Sequence, residues 1–311
     1  MNSPSNAMND AAVESQTIAP AVLPSTRPMY WSVRRELWEN RSVYLAPFIA
    51  AGIYLAGLLL GLLHLSREMR TAMVSSPELQ HDKLAQPYDI ATSLIMGIAV
   101  IVSIFYSLDA LYSERRDRSI LFWKSLPVSD LTAVLSKTIV VLGVLPLLTF
   151  VSIALVHWIT LLLSSAVAAG SGMSVATLWS QVQLFQMDLM LLYHVVTVHI
   201  LWYAPIYGWL LLVSAWAKRA PFLWAFLPML AIGGLEKLLF NTMYFATMLQ
   251  NRLSGGAEAM PMTNSGRFPV DAGMHITPVH YVSSPGLWIG LALTALFLAL
   301  AVRLRRARGP L

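Results

Sequence analysis

The chain has 311 residues, 57% of them apolar and only 12% charged, with a net charge of +5 and no cysteine. A soluble chain carries about 25% charged residues and cannot bury this much apolar surface in one core, while a disordered chain is polar. Disulfides, thiolate metal sites and cysteine nucleophiles are excluded, and the mean hydropathy of +0.62 points to an all-α, polytopic membrane protein.

Residues 1–28 hold Pro4, Pro20, Pro24 and Pro28 among small polar residues, with no basic stretch before an apolar run. They read as a disordered tail rather than a secretory signal. Residues 29–41 follow with Tyr30, Val33 and Leu37 at helical spacing, Trp31 and Trp38 beside them, and Arg34, Arg35, Glu36 and Glu39 filling the rest. This predicts an amphipathic helix lying in the membrane interface, where an ordinary juxtamembrane anchor is the simplest role.

Residues 42–311 form a six-span membrane domain. A bilayer core needs about 20 apolar residues per helix. The predicted spans are Tyr44–Leu65, Ile90–Tyr112, Leu131–Ser164, Leu189–Trp216, Pro221–Phe245 and Gly286–Val302. Trp179–Met187 is too short and polar to span and reads as an outer loop or turn. Gly57 and Gly61 form a GxxxG in the first span, which suits close helix packing inside the subunit or at a dimer face. Of the 21 Lys and Arg residues, 15 fall on the side of both termini and 5 on the opposite side, with Lys237 inside a span. That asymmetry places both termini in the cytoplasm. The positive charge is then an orientation signal with attraction to anionic lipid, not a nucleic-acid footprint.

The segment Tyr112–Lys137 is the most informative. It opens with Glu114-Arg115-Arg116-Asp117-Arg118, continues with the apolar run Ile120-Leu121-Phe122-Trp123, and then reads Leu126-Pro127-Val128-Ser129-Asp130. Ser129 suits a helix N-cap and Asp130 its first turn. Glu114 and Arg118 stand at i,i+4 and are expected to pair. An apolar knob flanked by charge suits docking into a partner's groove, or an interfacial helix that touches only lipid.

These residues resemble the cytoplasmic loop of ABC-2 type transporter permeases, the membrane subunits of ATP-driven exporters. Glu114, Arg115, Arg116, Leu126, Pro127, Val128, Ser129 and Lys137 match the family pattern, and Ser119-Ile120 departs from its frequent Gly-Thr. The layout of an amphipathic amino-terminal helix and six spans is similar as well. The resemblance implies a bacterial inner-membrane permease that pairs with a second copy or a related chain. Each copy would dock one ABC ATPase subunit, which would carry the ATP and Mg²⁺. The coupling helix would hold Glu114, Arg115, Arg116, Arg118, Ile120, Phe122, Trp123, Leu126 and Pro127. The connecting helix would hold Tyr30, Trp31, Arg34, Arg35, Leu37 and Trp38. The chain has no GxxxxGK[ST] phosphate loop, so it is not expected to hydrolyse ATP itself and needs no cofactor of its own.

Within the spans, Glu236 and Lys237 follow Gly233-Gly234. Ionisable residues at membrane depth beside a Gly-Gly break suit a translocation path, and side chains snorkelling to water suit it equally. Asp109 is expected to contact Arg115 or water, and Asp188 to sit at the outer interface. His157, His194 and His199 read as packing histidines. The last two are five apart, about 140° around an α-helix, and so on different faces. The outer loop 247–285 carries His275 and His280 with Met260, Met262 and Met274, and reads as a cap over the exit path rather than a metal site. The alternative function is a membrane enzyme or sensor without an ATPase. An intramembrane hydrolase would need a nucleophile paired with a base, and no such pairing is recognisable in the sequence. A scaffold that anchors a soluble complex is a third reading.

Overall fold

The computed structural model describes residues 26–61, 77–125, 128–255 and 278–307. Among them every regular element is helical, and six helices are long and apolar enough to cross a membrane. This fits a multi-pass membrane protein, because a helix satisfies its backbone polar groups internally where no water can.

Helix α1 (Thr26–Glu39) leads into α2 (Ser42–Leu60). Helix α3 (Pro77–Asp109) begins well before the apolar stretch that marks the second span. Two short helices follow, α4 (Tyr112–Arg116) and α5 (Ser119–Ser125), separated by a turn with Arg118 at φ 59°. The third span is α6 (Asp130–Ile139), a π-helical segment Val140–Val144 and α7 (Leu145–Gly170). Ser129 caps α6 as expected, its hydroxyl accepting the Thr132 N–H at 3.1 Å.

Residues 179–187, expected as a loop, are mostly helical. They lie in α8 (Val175–Val182) and the start of α9 (Leu184–His194), joined at the left-handed Gln183. Apolar Leu178, Val182, Leu184 and Met187 bury against Leu161 and Ala168 of α7, which outweighs the polar composition between them. A second π segment, Val195–Trp202, leads to α10 (Ala204–Trp216). Both π segments sit directly before a proline near the next helix start, Pro146 and Pro205. A proline lacks the N–H and crowds the carbonyl four residues back, so the ladder shifts register there.

Helices α11 (Pro221–Phe240), α12 (Tyr244–Leu253), α13 (Pro278–Ser283) and α14 (Pro285–Ala307) complete the described chain. The most extensive helix pairing is α10 with α14. A Cβ at Gly208 would stand only 3.5 Å from the Thr294 Cα, so the two backbones pass close together. Helix α2 packs on α3 and α7 through Ala50, Ala51, Ala91, Ile95 and Ile153. The GxxxG plays no such part, since nothing lies within 4 Å of a Cβ built on Gly57. Helix α11 stands apart: only Ala225 is buried along its length.

Candidate functional site

Helix α1, the α4–α5 turn, the start of α6 and the end of α14 meet at one end of the bundle, and a lattice of charges closes there. Glu36 of α1 is fully buried, although its neighbours suggested a solvated polar face. The exposed face of α1 is instead aromatic, with Tyr30, Trp31 and Trp38 outward and Arg34 stacked between the two indoles at 5.2 and 4.7 Å. Val33 and Leu37 pack inward with Glu36. The charged side chain turns inward because its partners are inside.

Those partners are Lys137 of α6, Tyr106 of α3 and the adjacent Arg35, and the lattice extends from them to Glu114, Asp130 and Arg305. Lys137 of α6, itself buried, places Nζ 2.8 Å from Glu36 Oε1 and 3.0 Å from Glu114 Oε1. Tyr106 of α3 donates its hydroxyl to Glu36 Oε2 at 3.2 Å. Arg35 reaches Glu36 at 2.5 Å and Glu114 at 3.4 Å. Arg305 of α14 bridges Glu114 Oε2 at 2.8 Å and Asp130 Oδ1 at 2.5 Å. Three carboxylates thus face three cations. A balanced set of this kind adds little net stability over apolar packing, but removal of one member leaves a buried charge uncompensated.

The α4 end is fastened separately to α10. The Ser214 hydroxyl accepts the N–H groups of Leu111 and Tyr112, both at 2.9 Å, and Arg115 donates to the carbonyls of Ser214 at 3.1 Å and Ala217 at 2.5 Å. A guanidinium on the last carbonyls of a helix satisfies groups with no intrahelical partner and suits the helix dipole. Outside the spans, burial pushes the Glu39 carboxyl above its usual range, while the hydrogen bond from Arg116 holds the Asp117 carboxyl below it.

Two sequence expectations change here. Glu114 does not pair with Arg118; it turns into the lattice, and Arg118 occupies the exposed left-handed turn. Asp109 meets Arg116 at 3.9 Å, with its side chain half exposed to solvent. The apolar knob is also smaller than the run suggests. Ile120 is buried, and Trp123 lies beneath the Arg35 guanidinium at 3.8 Å, which leaves Leu121 and Phe122 outward. Leu126 and Pro127 lie outside the described residues.

The residues proposed for a translocation path lie elsewhere. Gly233 and Gly234 sit inside an unbroken α11. Glu236 caps the next helix, accepting the N–H groups of Tyr244 and Phe245 at 2.7 and 2.8 Å and the Thr242 hydroxyl at 2.8 Å. Lys237 is exposed. Of the outer-loop residues, Met260, Met262, Met274 and His275 fall outside the described residues, as does the side chain of His280. No group of three potential metal ligands occurs among the described residues.

Inside the bundle, His194 and His199 do share a face. The π segment between them bonds i→i+5, so residues five apart nearly superpose, and the rings meet edge to face at 5.4 Å. A small cleft, with room for about one water, is lined by His199, Ser103, Thr149 and Tyr207 with residues flanking both π segments. His157 is paired on both sides. Its Nδ1 lies 2.8 Å from Asp188 Oδ1 and its Nε2 3.0 Å from the Thr92 hydroxyl, an arrangement the sequence left unseen.

Glu36, Tyr106, Asp130, Ser214 and Arg305 were absent from the expected site, and Lys137 entered only as part of the loop motif. Lys137 had a legible signal, an ionisable group well inside an apolar helix. Glu36 had a weaker one, a carboxylate in the stripe with Val33 and Leu37. Asp130 was assigned wholly to helix initiation, and Arg305 to the basic flank of the last span. Comparison with protein families, curated proteins and solved structures finds no match to this chain.

Proposed function

We propose that the chain is the permease subunit of an ABC-2 type exporter, set in the bacterial inner membrane with both termini cytoplasmic. It works with a separate ABC ATPase subunit that binds ATP and Mg²⁺, and with a second copy or related permease. The observation that carries this reading is the exposed Leu121–Phe122 knob on a turn tied through Glu114 to α1, α6 and α14. A push on the knob is delivered to three elements at once, as a coupling helix requires of a ligand-biased two-state device. The aromatic outer face of α1, with Arg34 between its indoles, supports an interfacial connecting helix beside that turn. The basic residues gathered at this end support its cytoplasmic placement.

The test is partner-stimulated ATP hydrolysis. The permease is purified in mild detergent with whatever remains bound, and an ATP-binding subunit is expected at about one per permease. Replacing both Leu121 and Phe122 by Ala is expected to lower stimulated turnover while membrane insertion and thermal stability hold, because both side chains are more than half exposed. Unchanged turnover, or a permease that comes out alone after crosslinking with an ATP analogue, would overturn the reading.

A further inference from the structure

We propose that the outer face of α1 binds the phosphate headgroup of an anionic phospholipid on the ladder Trp31–Arg34–Trp38, and that the bound lipid clamps the charge lattice held by the opposite face of the same helix. The proposal does not rest on the permease reading.

The charges at the lattice end are one-sided. Glu36, Glu114 and Asp130 are spent inside the lattice. Of the carboxylates that reach solvent there, Glu39 pairs with Arg35 at 3.7 Å, and Asp109 and Asp117 both pair with Arg116. Arg41, Arg118, Lys218, Arg219, Arg303 and Arg306 remain exposed and make no ion pair among the described residues. What faces outward at this end is therefore cationic, and the ligand that complements it is anionic.

Helix α1 adds an aromatic frame to that charge. Trp31, Arg34 and Trp38 follow one another at spacings of three and four, a stripe about 60° wide on the helix surface. The two indoles are 56% and 63% exposed, and Tyr30 meets Trp31 edge to face at 5.4 Å. Arg34 Cζ lies 5.2 and 4.7 Å from the two indole centroids. Cation–π contacts thus hold the guanidinium in place, and its planar fork of N–H groups suits two oxygens of one phosphate. Only Asn40 and Arg41 separate α1 from the spanning helix α2, which sets the ladder at headgroup level. Exposed tryptophans at that level favour a membrane leaflet over an acidic protein groove, since each ring has an apolar body for the acyl boundary and an N–H for the wet layer above it. Glu36 stands two residues from Arg34, about 200° around the helix, where it meets Lys137 and Tyr106. A lipid that binds α1 in its docked position therefore stabilises the lattice by mass action.

The test uses the purified full chain in mild detergent, titrated with phosphatidylglycerol or with zwitterionic phosphatidylcholine. Native mass spectrometry counts the first lipid bound, and thermal melting follows stability. Phosphatidylglycerol is expected to bind more tightly than phosphatidylcholine. At about tenfold excess over its dissociation constant it should raise the melting temperature by about 3 °C. Arg34→Gln is expected to weaken phosphatidylglycerol binding about fivefold. Replacing both Trp31 and Trp38 by Leu keeps every charge and is expected to weaken it about threefold. Arg303→Gln removes an exposed cation of α14 at the same end and is expected to leave the affinity unchanged. Each variant is checked for a monodisperse elution profile and an unchanged helical circular dichroism signal. The proposal is wrong if phosphatidylcholine binds equally well, if the melting temperature does not move, or if both tryptophans can be removed without loss. It is equally wrong if Arg303→Gln weakens binding as much as Arg34→Gln, which would mean diffuse attraction. Unchanged lipid binding in Arg34→Gln, together with loss of a co-purifying protein, would overturn it by assigning the face to a protein partner. No ATPase enters the lipid titration, so its failure leaves the coupling test untouched.

Discussion

The lattice end of the bundle and helix α11 have opposite characters. At the lattice, a buried Lys137 links carboxylates from two elements, and Arg305 extends the link to α14. Along α11 only Ala225 is buried, and Leu230, Leu235 and Leu238 all face outward. The difference shows that in a membrane protein apolar content says little about internal packing, because lipid accepts an apolar face as readily as a neighbouring helix does. What distinguishes the lattice end is the polar chemistry between its helices. On α11, Glu236 is spent locally on capping α12.

That contrast is open to direct attack by mutation, read as thermal unfolding in detergent. Lys137→Met should have the largest effect, about 3–5 kcal/mol, since it leaves Glu36 and Glu114 facing each other with less positive charge between them. A melting temperature within a degree or so of the parent would show that the lattice contributes nothing to cohesion. Ser214→Ala should follow at about 1–3 kcal/mol, because the N–H groups of Leu111 and Tyr112 lose their acceptor. Increased protease cleavage near residue 111 is the accompanying sign.

Gly290→Ala sharpens the comparison on the α14 side. A Cβ there would collide with the Arg252 guanidinium, which lies 4.1 Å over the Trp202 ring and donates to the Gly286 carbonyl at 3.1 Å. Displacing it should cost about 0.5–2 kcal/mol, visible as a shift in Trp fluorescence. Glu236→Gln should cost less, by weakening the cap on α12. Leu230→Ala should be smallest, below about 0.5 kcal/mol, as for any position that buries nothing within the subunit. A large loss at Leu230 in the assembled membrane form, absent from the isolated chain, would mean that α11 is covered by another protein rather than by lipid.

The six apolar runs long enough to span, the helical period of α1 and the cap at Ser129 were legible in the residues, because each depends on a local pattern: run length, helical period or one hydrogen bond. The π segments had a signal in Pro146 and Pro205, but a proline announces only that the ladder breaks, not how it rejoins. Their consequence, His194 over His199, inverts what ideal α-helical geometry predicts. Residues 179–187 became helical because Leu178, Val182, Leu184 and Met187 found a groove on α7 that composition does not reveal.

The sequence by itself therefore determined that the chain is a membrane-spanning helical protein and which loop is charged and apolar by turns. Those are properties of residues near one another along the chain. Tertiary structure alone decided that Glu36 faces inward, that Arg305 and Asp130 meet across the chain, and that Thr92, His157 and Asp188 stand in one row. Pairing of ionisable groups depends on which helix faces bring them within about 3 Å in a low dielectric, where an unpaired charge is too costly to persist.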